Sequence, residues 1–162
     1  MTFGFLIFFI LIVGVIGLML LLFLLFSQNK TRQKEQERYK LYLDQFDPAK
    51  NTKALKPIQT KVMGVRYANP DGSERQKIIA KCKKGDKLLL LPDPLNRYDK
   101  DAIKITTLRD EIIGYLDADL ALEVRRRLEE GLLVKASICQ IYKNKEGLLQ
   151  VEVELVKYSK KA

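Results

Sequence analysis

The side chains able to do chemistry in this chain fall into three short words. They are Gly64-Val65-Arg66-Tyr67, then Asp93-Pro94-Leu95-Asn96-Arg97-Tyr98-Asp99-Lys100-Asp101 running into Ala102-Ile103-Lys104-Ile105, and Ile113-Gly114-Tyr115-Leu116. A pocket that grips the end of a single nucleic acid strand needs a flat aromatic surface for a base, a cation for phosphate and short polar groups for sugar hydroxyls. The words supply each of these. Tyr67 and Tyr98 can stack on bases or hydrogen-bond through their hydroxyls, Arg66 can hold a phosphate, and Asn96 and Asp99 can bond a terminal ribose.

Each residue also has a purely structural reading. Tyr67 can close the edge of a first strand, Tyr98 can fill the mouth of a barrel as core, and Arg66 can be an ordinary solvated strand residue. Asn96 and Asp99 are residue types that bond their own backbone in turns. Ala102 and Ile103 belong to packing. Other chemistries have little to work with. The chain has no His and only two cysteines, Cys82 and Cys139, which are far apart and outside any Cys-x-x-Cys spacing, so neither a metal site nor a disulfide framework is expected. No Gly-x-x-x-x-Gly-Lys phosphate cradle occurs, and an enzymatic role and a cofactor are both unexpected.

The elements that must position these words can be read from 57 onward. Residues 57–67 alternate as a strand, Asn69-Pro70-Asp71-Gly72 signals a turn, and Ser73 with Gln76 has the form of a capping box opening a helix over 74–83. Strands are expected at 88–91, 102–107, 111–116, 133–143 and 148–158. A second helix, capped by Asp117 and ended near Gly131, presents Leu120, Ala121, Val124 and Leu128 on one face. Strands with two inserted helices indicate a small barrel-like α+β domain.

The N-terminus differs in kind. Residues 3–26 carry no charge and, at ~1.5 Å per residue, span ~36 Å, enough for a ~30 Å hydrocarbon core. Without a basic n-region or a small-x-small cleavage site, they are expected to be a transmembrane signal-anchor helix rather than a removed leader. Lys30, Arg32, Lys34, Arg38 and Lys40 follow the segment closely, which places the soluble domain in the cytoplasm and makes this a single-pass membrane protein. Residues 27–56 read as a charged juxtamembrane segment, helical at first and then a linker from about 47, with a plain spacer preferred over a collar for anionic lipid. The net charge of +9 favours a polyanionic partner, either nucleic acid or anionic lipid headgroups.

The three words, in this order, resemble those of the HIRAN domain: G-[LV]-R-Y, [RD]-x-P-x-N-x-Y-D-x-N-A-I-x-V and V-G-[HY]-[IL]. The similarity spans about residues 57–157. It implies a compact OB-like β-barrel with helices packed against it, here at 57–158. HIRAN domains of fork-remodelling helicases recognise the 3′ hydroxyl end of single-stranded DNA, which by matching positions implies roles for Arg66, Tyr67, Asn96, Tyr98 and Asp99. Tyr115 stands where relatives carry His and keeps a hydrogen-bonding ring. Arg97 replaces a Pro, Asp101 replaces a second Asn, and Asp117, Ala118 and Asp119 stand where basic residues are expected. The resemblance thus implies a membrane-anchored binder of single-stranded DNA or other nucleic acid. The alternative is an anchored module for a protein or lipid partner that has lost DNA binding.

Overall fold

The computed structural model describes residues 2–160, with side chains described at residue 8 and from residue 12 onward. Among these residues there are three helices and a seven-stranded, wholly antiparallel sheet. Helix α1 (Thr2–Leu43) is followed by β1 (Lys53–Ala54), β2 (Ile58–Lys61), α2 (Arg75–Ile79) and β3 (Lys87–Pro92). Next come β4 (Ile103–Thr107), β5 (Ile112–Tyr115), α3 (Ala118–Glu129), β6 (Val134–Lys143) and β7 (Leu149–Ser159). The chain divides into two compact units, with the second beginning at Arg38.

The first unit is α1 as far as Glu37, an apolar stretch followed by a charged one. It is long and apolar enough to cross a membrane, and its described side chains from Phe8 to Phe26 are exposed.

The second unit is ordered around β7, where Val151, Val153 and Leu155 point inward on alternate positions. Its neighbours are β6 on one side and, in succession along the chain, β1 and β2. The path continues β6-β3-β4-β5. The named strands do not close into the expected barrel. Beyond β2, among the described residues, the single bridging pair Met63–Tyr115 joins that end of the sheet to β5, through bonds of 2.8 and 3.0 Å in the two directions. Gly114 permits this approach, since a Cβ on it would lie 2.4 Å from the Met63 carbonyl oxygen.

Strand β3 explains why Leu88 to Leu91 is a continuous apolar run. Leu88 and Leu90 enter the main core with Ile105, Ile138 and Val153, while Leu89 and Leu91 face a second cluster. A strand covered on both faces has no polar side to alternate with. The second cluster is built on the end of α1. Tyr42 stacks near Tyr39 and meets Phe46 edge-on at 5.4 Å, and these rings pack with Leu89, Leu133, Leu108 and Tyr158. The Tyr42 hydroxyl donates to the Val134 carbonyl at 3.0 Å, and burial raises its pKa above the ordinary 10.0.

Residues 38–56 are therefore not a spacer and linker. Arg38 pairs with Asp110 at 2.6 Å, Asn51 bridges Gly131 and Leu133 through bonds of 3.0 and 2.7 Å, and β1 adds to β7. The expectation failed because Tyr39, Tyr42 and Phe46 were embedded among charges; at helical spacing they form one face.

Two other local expectations need correction. Helix α2 is a five-residue helix rather than a ten-residue one, and its N-cap is Glu74 without a side-chain cap. Ser73 instead bonds Asp71, and Gln76 reaches away to Val65 and Leu149. The first strand stops at Lys61, because Gly64 (φ +73°) turns the chain and Tyr67 N donates back to Gly64 O at 3.2 Å. The α3 reading stands. Asp117 accepts from Asp119 N, and Ala121 and Val124 are buried.

Candidate nucleic-acid interface

The three words meet through one buried cation. Arg75, 5% exposed, donates from Nε to Asn69 Oδ1 at 2.7 Å and from Nη1 to Gly64 O at 2.8 Å. Its guanidinium also lies 5.1 Å from the centre of the Tyr115 ring. Gly64 must lack a side chain here, since a Cβ would sit 2.9 Å from Arg75 Nη1. The Tyr115 hydroxyl in turn donates to Asp93 Oδ2 at 3.0 Å, and Asp93 O accepts from Asn96 N at 3.0 Å. The Gly64 turn, the 113–116 strand and the 93–101 loop are thus consecutive links of one hydrogen-bonded chain.

No carboxylate pairs directly with Arg75 among the described residues; the opposite charge in the network is the Asp93 carboxylate, on the far side of the Tyr115 hydroxyl. Burial pulls the Arg75 pKa down while the neighbouring Tyr115 opposes it. A guanidinium remains charged in proteins all the same. Burial, reinforced by the bond to Asp93, pushes the Tyr115 hydroxyl up and keeps it a donor.

The loop is built from its own polar side chains. Asn96 Oδ1 accepts from Tyr98 N at 3.0 Å and from Asp99 N at 3.3 Å, and Asp99 Oδ1 accepts from Asp101 N at 2.8 Å. Its base is closed by Asp93 N to Ala102 O at 2.9 Å, and Arg125 of α3 holds its far end through Asp101 at 3.3 Å and the Lys100 carbonyl. Asn96 and Asp99 therefore act as turn-formers, as one of the two readings had it. Tyr98 does not fill the core. At 98% exposure it stands free on this turn beside Leu95, and Tyr67 is 63% exposed on the Gly64 turn. Neither ring is consumed by packing, and both leave a face open to a planar partner. Arg66 points elsewhere, to Glu146 Oε2 in the β6–β7 turn at 3.2 Å.

Sequence reasoning missed Arg75, Asn69, Gln76 and Asp93. Their partners range from six residues away, Asn69 for Arg75, to 73, Leu149 for Gln76, and no local spacing sets Arg75 apart from the other cations near α2. The one available signal was Gly64, a position whose geometry demands a neighbour close to its backbone. Among the described residues, no cluster of His, Cys, Asp or Glu could hold a metal ion.

No curated protein matches the chain closely enough to count as a relative. The crystal structure of the HIRAN domain of human HLTF is similar with a TM-score of 0.54 at 17% identity, over 72% of this chain and 84% of that one. A crystal structure of a Lactobacillus plantarum protein has a TM-score of 0.47 at 19% identity, over 65% and 95% of the two chains. The NMR structure of the human HLTF HIRAN domain gives 0.46 at 16% identity, over 71% and 86%. At such identities the first of these speaks for the fold alone. The HIRAN domain family itself matches residues 55–159, more than half of the chain, and to that family the chain belongs.

Proposed function

We propose that this protein is a nucleic-acid-binding HIRAN domain carried on a membrane helix, and that it takes single-stranded DNA, at 3′ ends, against the exposed rings of Tyr98 and Tyr67. The observation that carries the reading is Tyr98, an aromatic left almost wholly exposed on a turn that Asn96 and Asp99 fix by bonds to its own backbone. Exposing a ring on a fixed support is wasteful for stability and suited to stacking, which contributes about 1–3 kcal/mol per base. Membership in a family associated with DNA binding supports the same reading. Arg66 supplies phosphate contact once it leaves Glu146. Asn96, Asp99 and Tyr115 set the shape of the loop, and their remaining lone pairs serve the terminal sugar.

Residues 3–26 anchor the protein in this reading, with residues 27–56 following and the 57–158 domain in the cytoplasm beside the basic flank of the helix. A second reading keeps the fold and gives the surface to a protein or lipid partner. It is favoured by the self-satisfied bonding of Asn96 and Asp99 and by the acidic pair Asp117 and Asp119 at the start of α3.

Fluorescence anisotropy on residues 38–162, with a labelled strand ending in a 3′ hydroxyl or a 3′ phosphate, separates the two. The proposal expects salt-weakened binding, a preference for the free hydroxyl, and loss of most affinity in the Arg66→Ala/Tyr98→Ala double variant. Binding that ignores both the end group and the double substitution would move the site elsewhere. A fragment that binds no strand but retains a protein or vesicle partner would establish the second reading.

A further inference from the structure

An open groove of about 670 Å³ lies where the end of α2 meets β6 and the start of β7. Its apolar lining comes from Ile79, Ile141 and Leu149, and its charged lining is Lys83, Lys84 and Lys143, with no carboxylate among the lining residues. Many other cations of the domain are engaged: Lys77 with Glu74, Lys157 with Glu123, Arg125 with Glu129, and Lys87 over the Tyr39 ring. None of the three groove lysines pairs with a carboxylate among the described residues. Carboxylates stand nearby all the same: Asp86 accepts from Lys83 N at 2.8 Å and bears on Cys82, while on β7 Glu152 and Glu154 bear on Cys139, with Glu152 taken by the Tyr142 hydroxyl at 3.3 Å.

A bulge of β6 lies in the wall of the groove. Ile138 faces Val153 and Gln140 faces Glu152, so Cys139 has no partner across the ladder, and the strand bends there. Cys139 and Cys82 both line the opening. Burial lifts the Cys82 thiol to about 11, and its Sγ donates to Ile78 O, so it serves as a small apolar liner rather than a nucleophile. The groove is also tied to the candidate interface. Gln76 Nε2 donates to Val65 O of the Gly64 turn and to Leu149 O of the groove, each at 3.0 Å, so one side chain separates the two.

We propose that this groove carries the sugar-phosphate backbone of a single strand whose end occupies the Tyr67 and Tyr98 turns, with Lys83, Lys84 and Lys143 each neutralising a phosphate. The inference rests on the nucleic-acid reading above and extends it from a site for a strand end to a track. Unpaired ammonium groups above an apolar floor bind a chain of phosphates without reading its sequence. Affinity then depends on strand length, and the two parts of the surface are separable by mutation.

The test uses the full chain in neutral phosphatidylcholine nanodiscs, with labelled strands too short or long enough to reach the groove, titrated over a range of salt. Three phosphate contacts contribute about 2 to the slope of log affinity against log salt for a single strand. The triple variant Lys83→Gln/Lys84→Gln/Lys143→Gln should lose about that much slope for the long strand and bind the short strand as wild type does. In the wild type, the long strand should protect these three amines from acetylation. An unchanged slope with the long strand still bound overturns the groove and leaves the end site standing. A wild type that binds no strand of either length overturns the reading beneath it and the groove with it. Protection of the three amines by phosphatidylserine nanodiscs but not by the strand would assign the groove to lipid headgroups and overturn the proposal too.

Discussion

Two tyrosines in the same domain have opposite fates. Tyr42 is 4% exposed, closes a cluster with Leu89 and Leu133, and bonds a backbone carbonyl, whereas Tyr98 is almost wholly exposed on a turn held by the Asn96 and Asp99 side chains. The ring of Tyr42 is held by what surrounds it, and the ring of Tyr98 by what supports it. That difference separates a residue used for stability from one available to a partner. It also means that damage to one region should leave the other's property intact.

The largest effect is expected at the buried end of α1. Tyr42→Ala removes an aromatic from a filled cluster and leaves the Val134 carbonyl short of a donor, a loss of about 3–5 kcal/mol for a buried aromatic truncated to Ala. Chemical denaturation of residues 38–162 should show a lower midpoint with strand binding preserved below it. A midpoint like the wild type's would mean that the cluster is dispensable and that residues 38–56 are a spacer after all.

Tyr98→Ala is the mirror experiment. Its stability should stay within about 0.5 kcal/mol of wild type, as for surface positions generally, while strand affinity falls by about 1–3 kcal/mol. A clear drop in melting temperature would show that the loop depends on the ring, and the contrast between supported and surrounded aromatics would collapse.

How much of this contrast was legible beforehand depends on the range of the interactions. The β7 alternation, the Leu88–Leu91 run and the Asp117 cap are set by neighbours in the chain, and the sequence pattern displays them directly. The three words were visible as residue types, yet Tyr98 read equally well as core, because exposure is decided by strands far from it. Arg75 was invisible because its bonds to Asn69 and Gly64 follow no recognisable spacing and the Tyr115 ring lies far along the chain. Tyr39, Tyr42 and Phe46 were hidden by composition: a segment rich in Lys, Gln and Glu looks solvated until β3 is found to need a cover on its second face. The barrel expectation overran for a geometric reason, since closure between β2 and β5 hangs on one residue pair at Gly114.

A pH titration sharpens the buried side of the comparison. Folding holds the Tyr42 proton, with burial as the main cause and the charge of Tyr39 adding to it, whereas the unfolded chain releases it near the ordinary 10.0. Above that pH the unfolded state binds fewer protons than the native one, so stability falls as pH rises and is complete below it. Tyr42→Phe should flatten that alkaline slope at a cost of about 1 kcal/mol near neutrality from the lost hydrogen bond. An unchanged slope would assign the alkaline sensitivity to other groups.

The smallest effect concerns Arg66, which belongs to neither extreme, being half-exposed and engaged with Glu146 at 3.2 Å. An exposed pair of this kind contributes about 0.2–1 kcal/mol, so Glu146→Ala should barely move the melting temperature. Its consequence for binding is more informative than its size. If Arg66 is a phosphate ligand, Glu146 competes with the strand for the guanidinium, and removing the carboxylate should raise affinity up to about fivefold while steepening the salt dependence by roughly 0.7 for one added phosphate contact. The Arg66→Ala/Glu146→Ala double variant should cancel the gain. A gain that survives without Arg66 would mean that Glu146 acts only through long-range repulsion, and Arg66 would then belong to the surface pairing of the β6–β7 turn rather than to the strand.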